Sequence, residues 1–216
     1  MWHNLGVPRT GSRGPGRPPA AKAAETRRRI LHAAREVFSE RGYEAATFQA
    51  IAVRADLTRP AINHYFANKR VLYLEVLEQT SDLLAASIRR AERETTLPRR
   101  LSTFIAATTD TDAQDRSAAA FLITSVLESR RHPELRAVET DLLRSTRAFL
   151  NRVLDDAIRR GEVATEADSA SLTEMLVALL CGVVFYAGYV GQGEELDAVT
   201  RQLERLMDGR LWQVES

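Results

Sequence analysis

Apolar residues recur along most of the chain at the three- and four-residue spacing of amphipathic helices. Ile30, Ala34, Val37 and Phe38 show this spacing, and charged residues occupy most of the positions between them. Strand-like alternation bounded by hairpin turns does not occur in the sequence. The pattern therefore predicts an all-α fold of about nine helices.

Capping and breaking residues predict where these helices begin and end. Gly42 ends the first helix, because glycine enters the left-handed region without steric cost. Thr47 is the predicted cap of the second helix, and Thr58 that of the third, with Pro60 in its first turn. Asn68 is the predicted cap of a fourth helix from Lys69 to about Glu92. The later helices are predicted to begin at Pro98 (the fifth), to span 115–131 (the sixth), to run from Pro133 to near Gly161 (the seventh), to begin after a cap at Asp168 or Ser169 (the eighth), and to run from Glu194 to Met207 (the ninth).

The second and third predicted helices meet in a tight corner at residues 55–57. Ile62 and Phe66 lie four residues apart on the third helix and are expected to face the core. The more exposed positions of that helix are then Arg59, Asn63 and His64. Such a corner holds one short helix clear of the surface, which is how helix-turn-helix proteins place a helix in a DNA groove.

The segment around this corner resembles the N-terminal DNA-binding domain of the tetracycline-repressor (TetR) family of bacterial transcription regulators. The resemblance covers about 45 residues, and no motif beyond them is diagnostic. The matching elements are ILHAAREVFSERGYEAAT, Ile51-Ala52, the Ala-x-Leu-Thr turn, His64-Tyr65-Phe66, Lys69 and Leu72-Tyr73. Two positions depart from the family pattern: Asp56 stands where the family has glycine, and Asn63 stands where it has a phosphate-contacting tyrosine. Aspartate tolerates left-handed backbone angles, and asparagine can contact either an adenine or a phosphate.

The resemblance implies a set of DNA contacts and a division of the chain. Base-edge contacts are expected from Arg59, Asn63 and Ala61, and phosphate contacts from Thr47, Thr58, His64, Tyr65 and Lys69. Pro60, Arg27, Arg28 and Arg17 complete the predicted DNA-binding set. The predicted regions are a disordered basic tail over 1–24, the helix-turn-helix domain over 25–70, and a helical effector-binding and dimerisation domain over 71–216.

Charge is unevenly distributed along the chain. Residues 1–80 contain 13 Lys/Arg and 7 Asp/Glu, a net charge of +6, whereas residues 81–216 contain 17 and 22, a net charge of −5. The basic part is the one with the helix-turn-helix, as expected for DNA binding. Within the tail, Gly16-Arg17-Pro18 resembles the minor-groove element of AT-hook peptides, but the motif is only three residues long, and a solubilising extension is the favoured interpretation.

The eighth predicted helix is unusually apolar. No charged residue occurs between Met175 and Gly193, a length that raises the question of a membrane span. Acidic flanks without adjoining Lys or Arg, and several glycines, favour burial in protein instead. In the resembled family the last two helices form a dimer interface, so a homodimer without membrane association is expected, and a monomer core is the alternative.

The same family encloses a ligand pocket in the helices after the fourth. Candidate lining residues here are Phe104, Phe121, Ser125, Phe149, Phe185 and Tyr186. Their apolar character favours a small hydrophobic effector, although for any one of these residues simple core filling is the favoured interpretation.

Few residues have catalytic or metal-binding potential. Asp110, Asp112 and Asp115 lack the glycine and glutamate of a calcium loop, and the single cysteine, Cys181, lies in an apolar run. The sequence therefore predicts no enzyme, no metal and no cofactor. One cysteine and the lack of a signal peptide suit the cytoplasm. The expected function is a ligand-responsive repressor that binds a palindromic operator as a homodimer, with a nonspecific architectural DNA-binding protein as the alternative.

Overall fold

The computed structural model describes residues 19–109, 116–191 and 193–207, and only the backbone of residues 19 and 136–141. These residues form nine α-helices and no strand, which confirms the all-α prediction. The helices are α1 (Pro19–Ala45), α2 (Phe48–Arg54), α3 (Arg59–Tyr65), α4 (Lys69–Ala91), α5 (Leu97–Thr109), α6 (Ser117–Arg131), α7 (Arg136–Arg159), α8 (Ser169–Phe185) and α9 (Glu194–Met207). A 3-10 turn (Pro133–Leu135) precedes α7, and a π-helical turn (Tyr186–Val190) extends α8.

The first helix differs from its prediction at both ends. It begins at Pro19, inside the segment assigned to a disordered tail over 1–24, because residues 20–24 (AAKAA) have high helix propensity. It also resumes after Gly42, whose φ of 74° and ψ of 175° interrupt the helix before Ala45. The predicted domain boundary at residue 70 stays a prediction, and it falls in the first turn of α4.

Four aromatic rings join the helix-turn-helix to the rest of the fold. Phe38 and Tyr43 come from α1, Tyr73 from α4 and Phe121 from α6. The Tyr73 ring lies 5.0 Å from Phe38, 5.0 Å from Tyr43 and 5.4 Å from Phe121, measured between ring centroids. Phe38, Tyr73 and Phe121 are almost completely buried. Burying each of these rings contributes on the order of 2–3 kcal/mol to the free energy of unfolding. Helices α1, α4 and α6 are therefore held together at one junction.

The remaining helices pack around α4 and α6. Helix α4 lies against α5 and α7, helix α8 against α6 and α7, and helix α9 against α5. The segment Ser169–Val190 is long and apolar enough to cross a membrane, with a mean hydropathy of 1.9, yet only 28% of it is buried inside this chain. Its exposed apolar side chains include Met175, Phe185, Tyr189 and Val190.

The end of the α8 segment makes a close contact with α6. A Cβ atom at Gly188 would lie 2.7 Å from the Ala120 backbone nitrogen, so only glycine allows this approach. The Tyr189 hydroxyl is hydrogen-bonded to the Thr124 hydroxyl and lies 3.1 Å from the Ala120 carbonyl oxygen and 3.4 Å from that of Ser39. The apolar helix is therefore linked to α6 and to α1.

Two glycines with positive φ allow a matched stability test. At Gly42 an added Cβ would lie 2.8 Å from the Glu128 Oε1 atom, whereas at Gly161 (φ 70°) no atom lies within 4 Å. Gly161→Ala should therefore lower the free energy of unfolding by about 1–2 kcal/mol through backbone strain alone. Gly42→Ala should lower it further, because a ψ of 175° at positive φ is a conformation essentially reserved for glycine, and because Glu128 must also move. Urea denaturation of both variants measures the difference, and equal losses would contradict the crowding at Gly42.

Candidate nucleic-acid interface and internal cavity

Three side-chain caps set the positions of the short helices. The Thr47 hydroxyl accepts a hydrogen bond from the Ala50 amide at 3.1 Å, and the Thr58 hydroxyl accepts one from the Ala61 amide at 3.4 Å. The Asn68 side chain accepts one from the Val71 amide at 2.9 Å. The predicted caps of α2, α3 and α4 are therefore confirmed. Each threonine hydroxyl retains a proton that it can donate to another acceptor.

Helix α3 separates its buried and exposed residues as the spacing predicts. Ile62 is 0% exposed and Phe66, which caps the helix, is 1% exposed. The exposed residues are Thr58, Arg59, Pro60, Asn63 and His64, and the half-buried ones are Ala61 and Tyr65. Neither the Arg59 nor the Asn63 side chain has a hydrogen-bond partner among the described residues. Helix α3 thus presents an arginine and an asparagine whose hydrogen-bonding groups are not already used.

The turn between α2 and α3 is held by an arginine that the sequence analysis did not single out. Asp56 has φ 52°, which confirms the left-handed backbone expected where the family has glycine. The Arg29 guanidinium donates to the Ala55 carbonyl oxygen at 2.6 Å and lies 3.8 Å from the Asp56 carboxylate. An exposed arginine on α1 gives no sequence signal for this role, because its partners are backbone atoms 26 residues away.

Two of the cations predicted to contact DNA are also used inside the protein. The Arg27 guanidinium is hydrogen-bonded to the Glu75 carboxylate and lies 4.7 Å from the centre of the Phe66 ring. The Lys69 ammonium donates to the Glu44 carbonyl oxygen at 2.9 Å and lies 4.6 Å from the centre of the Tyr43 ring. Both side chains therefore position the helix-turn-helix. A lysine ammonium has three donors, so Lys69 keeps two for a phosphate.

A further ion pair fixes α2 to α1. The Arg54 guanidinium donates to both Glu40 carboxylate oxygens at 2.8 Å. These hydrogen bonds hold the pKa of the Glu40 carboxyl below its ordinary value. By contrast, Arg28 is largely exposed and has only a distant contact, 3.8 Å, with Glu25. Arg17, together with the rest of the predicted AT-hook-like element, lies outside the described residues.

A cavity of about 60 Å³, partly open to solvent, lies between α4, α5, α6, α7 and α8. Its walls are apolar apart from Thr108, Thr146 and Cys181. The Thr108 hydroxyl donates to the Phe104 carbonyl oxygen at 2.9 Å, and the Thr146 hydroxyl donates to the Leu142 carbonyl oxygen at 3.0 Å. Burial raises the pKa of the Cys181 thiol. The described residues of the cavity wall therefore offer neither a charge nor an uncommitted hydroxyl proton.

The predicted pocket residues are distributed over several places. Phe104 lines this cavity, and Phe149 packs behind it with the ring centres 5.0 Å apart. Phe121 belongs to the aromatic junction, and the buried Ser125 hydroxyl donates to the Leu122 carbonyl oxygen. Phe185 is exposed and Tyr186 lies against Gly191, both at the end of the α8 segment. The helical spacing correctly marked apolar, inward-facing positions. It did not identify the cavity walls, which are mostly leucine and valine, because a sequence pattern does not distinguish a cavity-lining residue from a core residue.

No group of three or more His, Cys, Asp or Glu side chains able to hold a metal occurs within the described ranges. Asp110, Asp112 and Asp115, the residues of the possible calcium loop, lie outside those ranges.

The capped corner, the exposed face of α3 and the basic N-terminal part define a helix-turn-helix DNA-binding protein. The family model described as "Bacterial regulatory proteins, tetR family" matches residues 30–76, and the model described as "BetI-type transcriptional repressor, C-terminal" matches residues 98–211. The second model covers more than half of the chain. The chain therefore belongs to the TetR family of bacterial transcription regulators.

Individual relatives agree with this assignment. The HTH-type transcriptional repressor BepR of Brucella suis biovar 1 is 30% identical over 171 residues, which are 75% of this chain and 80% of BepR. FadR from Bacillus subtilis, solved with stearoyl-CoA, has a TM-score of 0.66 at 23% identity and covers 86% of this chain and 99% of FadR. A regulator from Saccharomonospora viridis, solved with choline, has a TM-score of 0.69 at 21% identity, and the match covers 86% of this chain and 96% of that regulator. At these identities, the two solved structures establish the fold alone.

Arg27 and Arg28 give a matched test of the internal anchor. Arg27→Ala removes the contacts with Glu75 and the Phe66 ring and should lower the free energy of unfolding by about 1 kcal/mol. Arg28→Ala should change it by less than about 0.5 kcal/mol, because that side chain is solvated. Thermal or urea unfolding of the two variants measures both values. A loss as large for Arg28→Ala as for Arg27→Ala would show that Arg27 is not an anchor.

Proposed function

We propose that this regulator is a homodimeric repressor of the cytoplasm that binds a palindromic operator and is released from it by a small hydrophobic effector. The observation that carries the proposal is the arrangement of α3 and its cap, with Ile62 and Phe66 buried and with Arg59 and Asn63 exposed and without a hydrogen-bond partner among the described residues. The similarity to a BetI-type repressor domain and to the repressor BepR supports repression as the mode of action.

The proposed DNA contacts divide into base-reading and positioning residues. Arg59 and Asn63 have the bidentate donor and acceptor groups that read guanine and adenine, and Ala61 lies beside them on α3. Thr47, Thr58, His64, Tyr65 and Lys69 are assigned to phosphates, with Pro60 shaping the first turn of α3. Arg28 is free to add a further phosphate contact, and Arg17 is assigned to the adjoining minor groove.

Dimerisation is assigned to α8 and α9. An apolar helix that is only 28% buried in one chain exposes more apolar surface than water favours. Ala178 and Gly182 are exposed on it, and a Cβ added at Gly182 would meet no atom within 4 Å. Small residues of this kind allow the α8 helices of two copies to approach closely, and two-fold symmetry then pairs two recognition helices.

The internal cavity is assigned to the effector. At about 60 Å³ it is smaller than a drug-sized molecule, so a bound effector must displace wall residues such as Leu84 on α4. Helix α4 runs from Lys69, at the proposed DNA surface, to Leu84 over about 22 Å. A ligand that moves α4 therefore changes the position of α3, and DNA must weaken ligand binding by the same factor.

The cavity walls also favour one class of effector. The Saccharomonospora viridis regulator was solved with choline, a cation. Among the described residues, the cavity walls include no carboxylate and a single aromatic ring, Phe104, which does not make the aromatic cage that recognises a quaternary ammonium group. This composition supports an effector whose buried part is an uncharged hydrocarbon, as is the acyl chain of the stearoyl-CoA bound by FadR.

Operator reading is tested with DNA from the intergenic region upstream of the protein's own gene. Arg59→Ala should weaken the binding free energy for the preferred sequence by about 1–3 kcal/mol and relax sequence preference, because a base contact is lost. Lys69→Ala should weaken binding to all sequences alike. It should also reduce the slope of log affinity against log salt concentration by about 1, the value expected for one lost phosphate contact. Fluorescence anisotropy against scrambled competitor, at several salt concentrations, measures both effects.

The same titration decides between operator reading and the architectural alternative. Wild-type protein that bound scrambled DNA as tightly as the upstream DNA would support a nonspecific architectural protein. An Arg59→Ala variant with an unchanged sequence preference would remove Arg59 from the base-reading set.

The dimer interface is tested with a charge on α8. Ala178→Glu should convert the dimer to a monomer in sedimentation velocity, because two buried carboxylates would face each other without partners. Ala148→Glu, at an exposed position of α7, is the matched control and should leave the dimer intact. A dimer that survives Ala178→Glu would place the interface elsewhere. Solubility only in detergent would instead indicate that Ser169–Val190 enters a membrane.

A further inference from the structure

A surface groove of about 260 Å³ adjoins the internal cavity. It lies between α4, α5 and α6, and its mouth is formed by Leu83, Ala86 and Arg90 of α4, all of which are exposed. Deeper in the groove, Ser87 and Ala118 are buried. The groove therefore leads from solvent toward the interior between these three helices.

The groove and the cavity share three wall residues, Leu84, Thr108 and Leu122. A molecule long enough to fill both would pass these side chains, with one end in the cavity and the other at the mouth. The shared hydroxyl, that of Thr108, is already hydrogen-bonded to the Phe104 and Ile105 carbonyl oxygens. The passage thus presents hydrocarbon and satisfied polar groups, a lining suited to a hydrocarbon chain.

Charge is concentrated at one end of this path. Among the residues whose side chains the structure describes, Arg90 is the one charged side chain that lines the groove, and none lines the cavity behind it. Within the described part of the chain the Arg90 guanidinium has no hydrogen-bond or ion-pair partner. The Ser87 hydroxyl in the groove donates to the Leu83 and Ala107 carbonyl oxygens, and the Thr80 hydroxyl donates to the Val76 carbonyl oxygen, so both protons are already used.

We propose that the groove and cavity form one site for a single-chain amphiphile, with the hydrocarbon chain in the cavity and a small anionic head group bound by Arg90. This inference rests on the proposed role of the cavity as the effector site, and it adds the charge of the ligand and the direction from which it enters. A guanidinium binds a carboxylate or a phosphate in the same bidentate geometry, so the head group is defined by its negative charge.

Three probes with the same ten-carbon chain test the head group: decanoate, decanol and decyltrimethylammonium, each below its micelle concentration. Wild-type protein should bind decanoate about fivefold more tightly than decanol, the gain expected for a partly exposed ion pair. The preference should fall as salt is added, because the mouth of the groove is exposed to solvent. Titration calorimetry measures the affinities. Protection of Cys181, the single cysteine of the chain, from iodoacetamide places the bound chain in the cavity.

Substitutions of Arg90 provide the specific controls. Arg90→Gln should remove the preference for decanoate and leave decanol binding unchanged. Arg90→Glu should reverse the preference toward decyltrimethylammonium, a result that loss of folding cannot produce. Arg89→Gln is the matched control, since Arg89 is exposed on the same turn of α4 but does not line the groove.

The outcomes separate this inference from the proposed effector cavity. Equal affinity for decanoate and decanol, with Cys181 protected by both, would overturn the head-group assignment and leave the cavity as the effector site. A decanoate preference that survives Arg90→Gln would also overturn it. Failure of all three probes to protect Cys181 would overturn both assignments, while the DNA titration would still test the regulator itself.

Discussion

Burial of Tyr73 against Phe38, Tyr43 and Phe121 is the interaction on which the arrangement of this protein depends. It is the point at which α1, α4 and α6 meet, and Phe38, Tyr73 and Phe121 lose almost all contact with water there. Tyr73 meets Phe38 and Tyr43 edge to face and Phe121 at a tilt, and such close packing fixes the relative positions of the three helices. The surface around α3 consequently takes its position from the large helical domain.

Electrostatic contacts then complete the small domain around this junction. Arg27, Arg29, Arg54 and Lys69 each bind a carboxylate or a backbone carbonyl inside the first 75 residues. Charged hydrogen bonds are stronger than neutral ones, and these hold the helix ends and the turn around a core in which Ile30, Ile51 and Ile62 are fully buried. Some of the basic residues in this part of the chain therefore hold the fold together, whereas others, such as Arg28 and Arg59, are exposed to solvent.

The large domain links three regions with different surfaces. One face of its apolar α8 is exposed, Tyr189 ties the end of that segment to α6 and α1, and α4 runs from the cavity to the helix-turn-helix. Because interiors are close-packed, a ligand that expands the small cavity must move whole side chains or helices. The proposed coupling between effector and DNA depends on this packing, with α4 as the element that both regions share.

The sequence by itself determined the helical class, the caps at Thr47, Thr58 and Asn68, the left-handed turn at Asp56 and the outward face of α3. These features depend on residues within a few positions of one another, which is the range over which propensity and capping act. The roles of Arg27, Arg29 and Phe121, and the identity of the cavity walls, were decided only by tertiary structure. Arg27 meets a partner 48 residues away, and Phe121 enters the junction because α6 crosses α1 and α4. Helical periodicity distinguishes an inward from an outward position, but every inward position looks alike until the helices pack. Whether Phe121 fills a core or lines a cavity is therefore set by long-range packing.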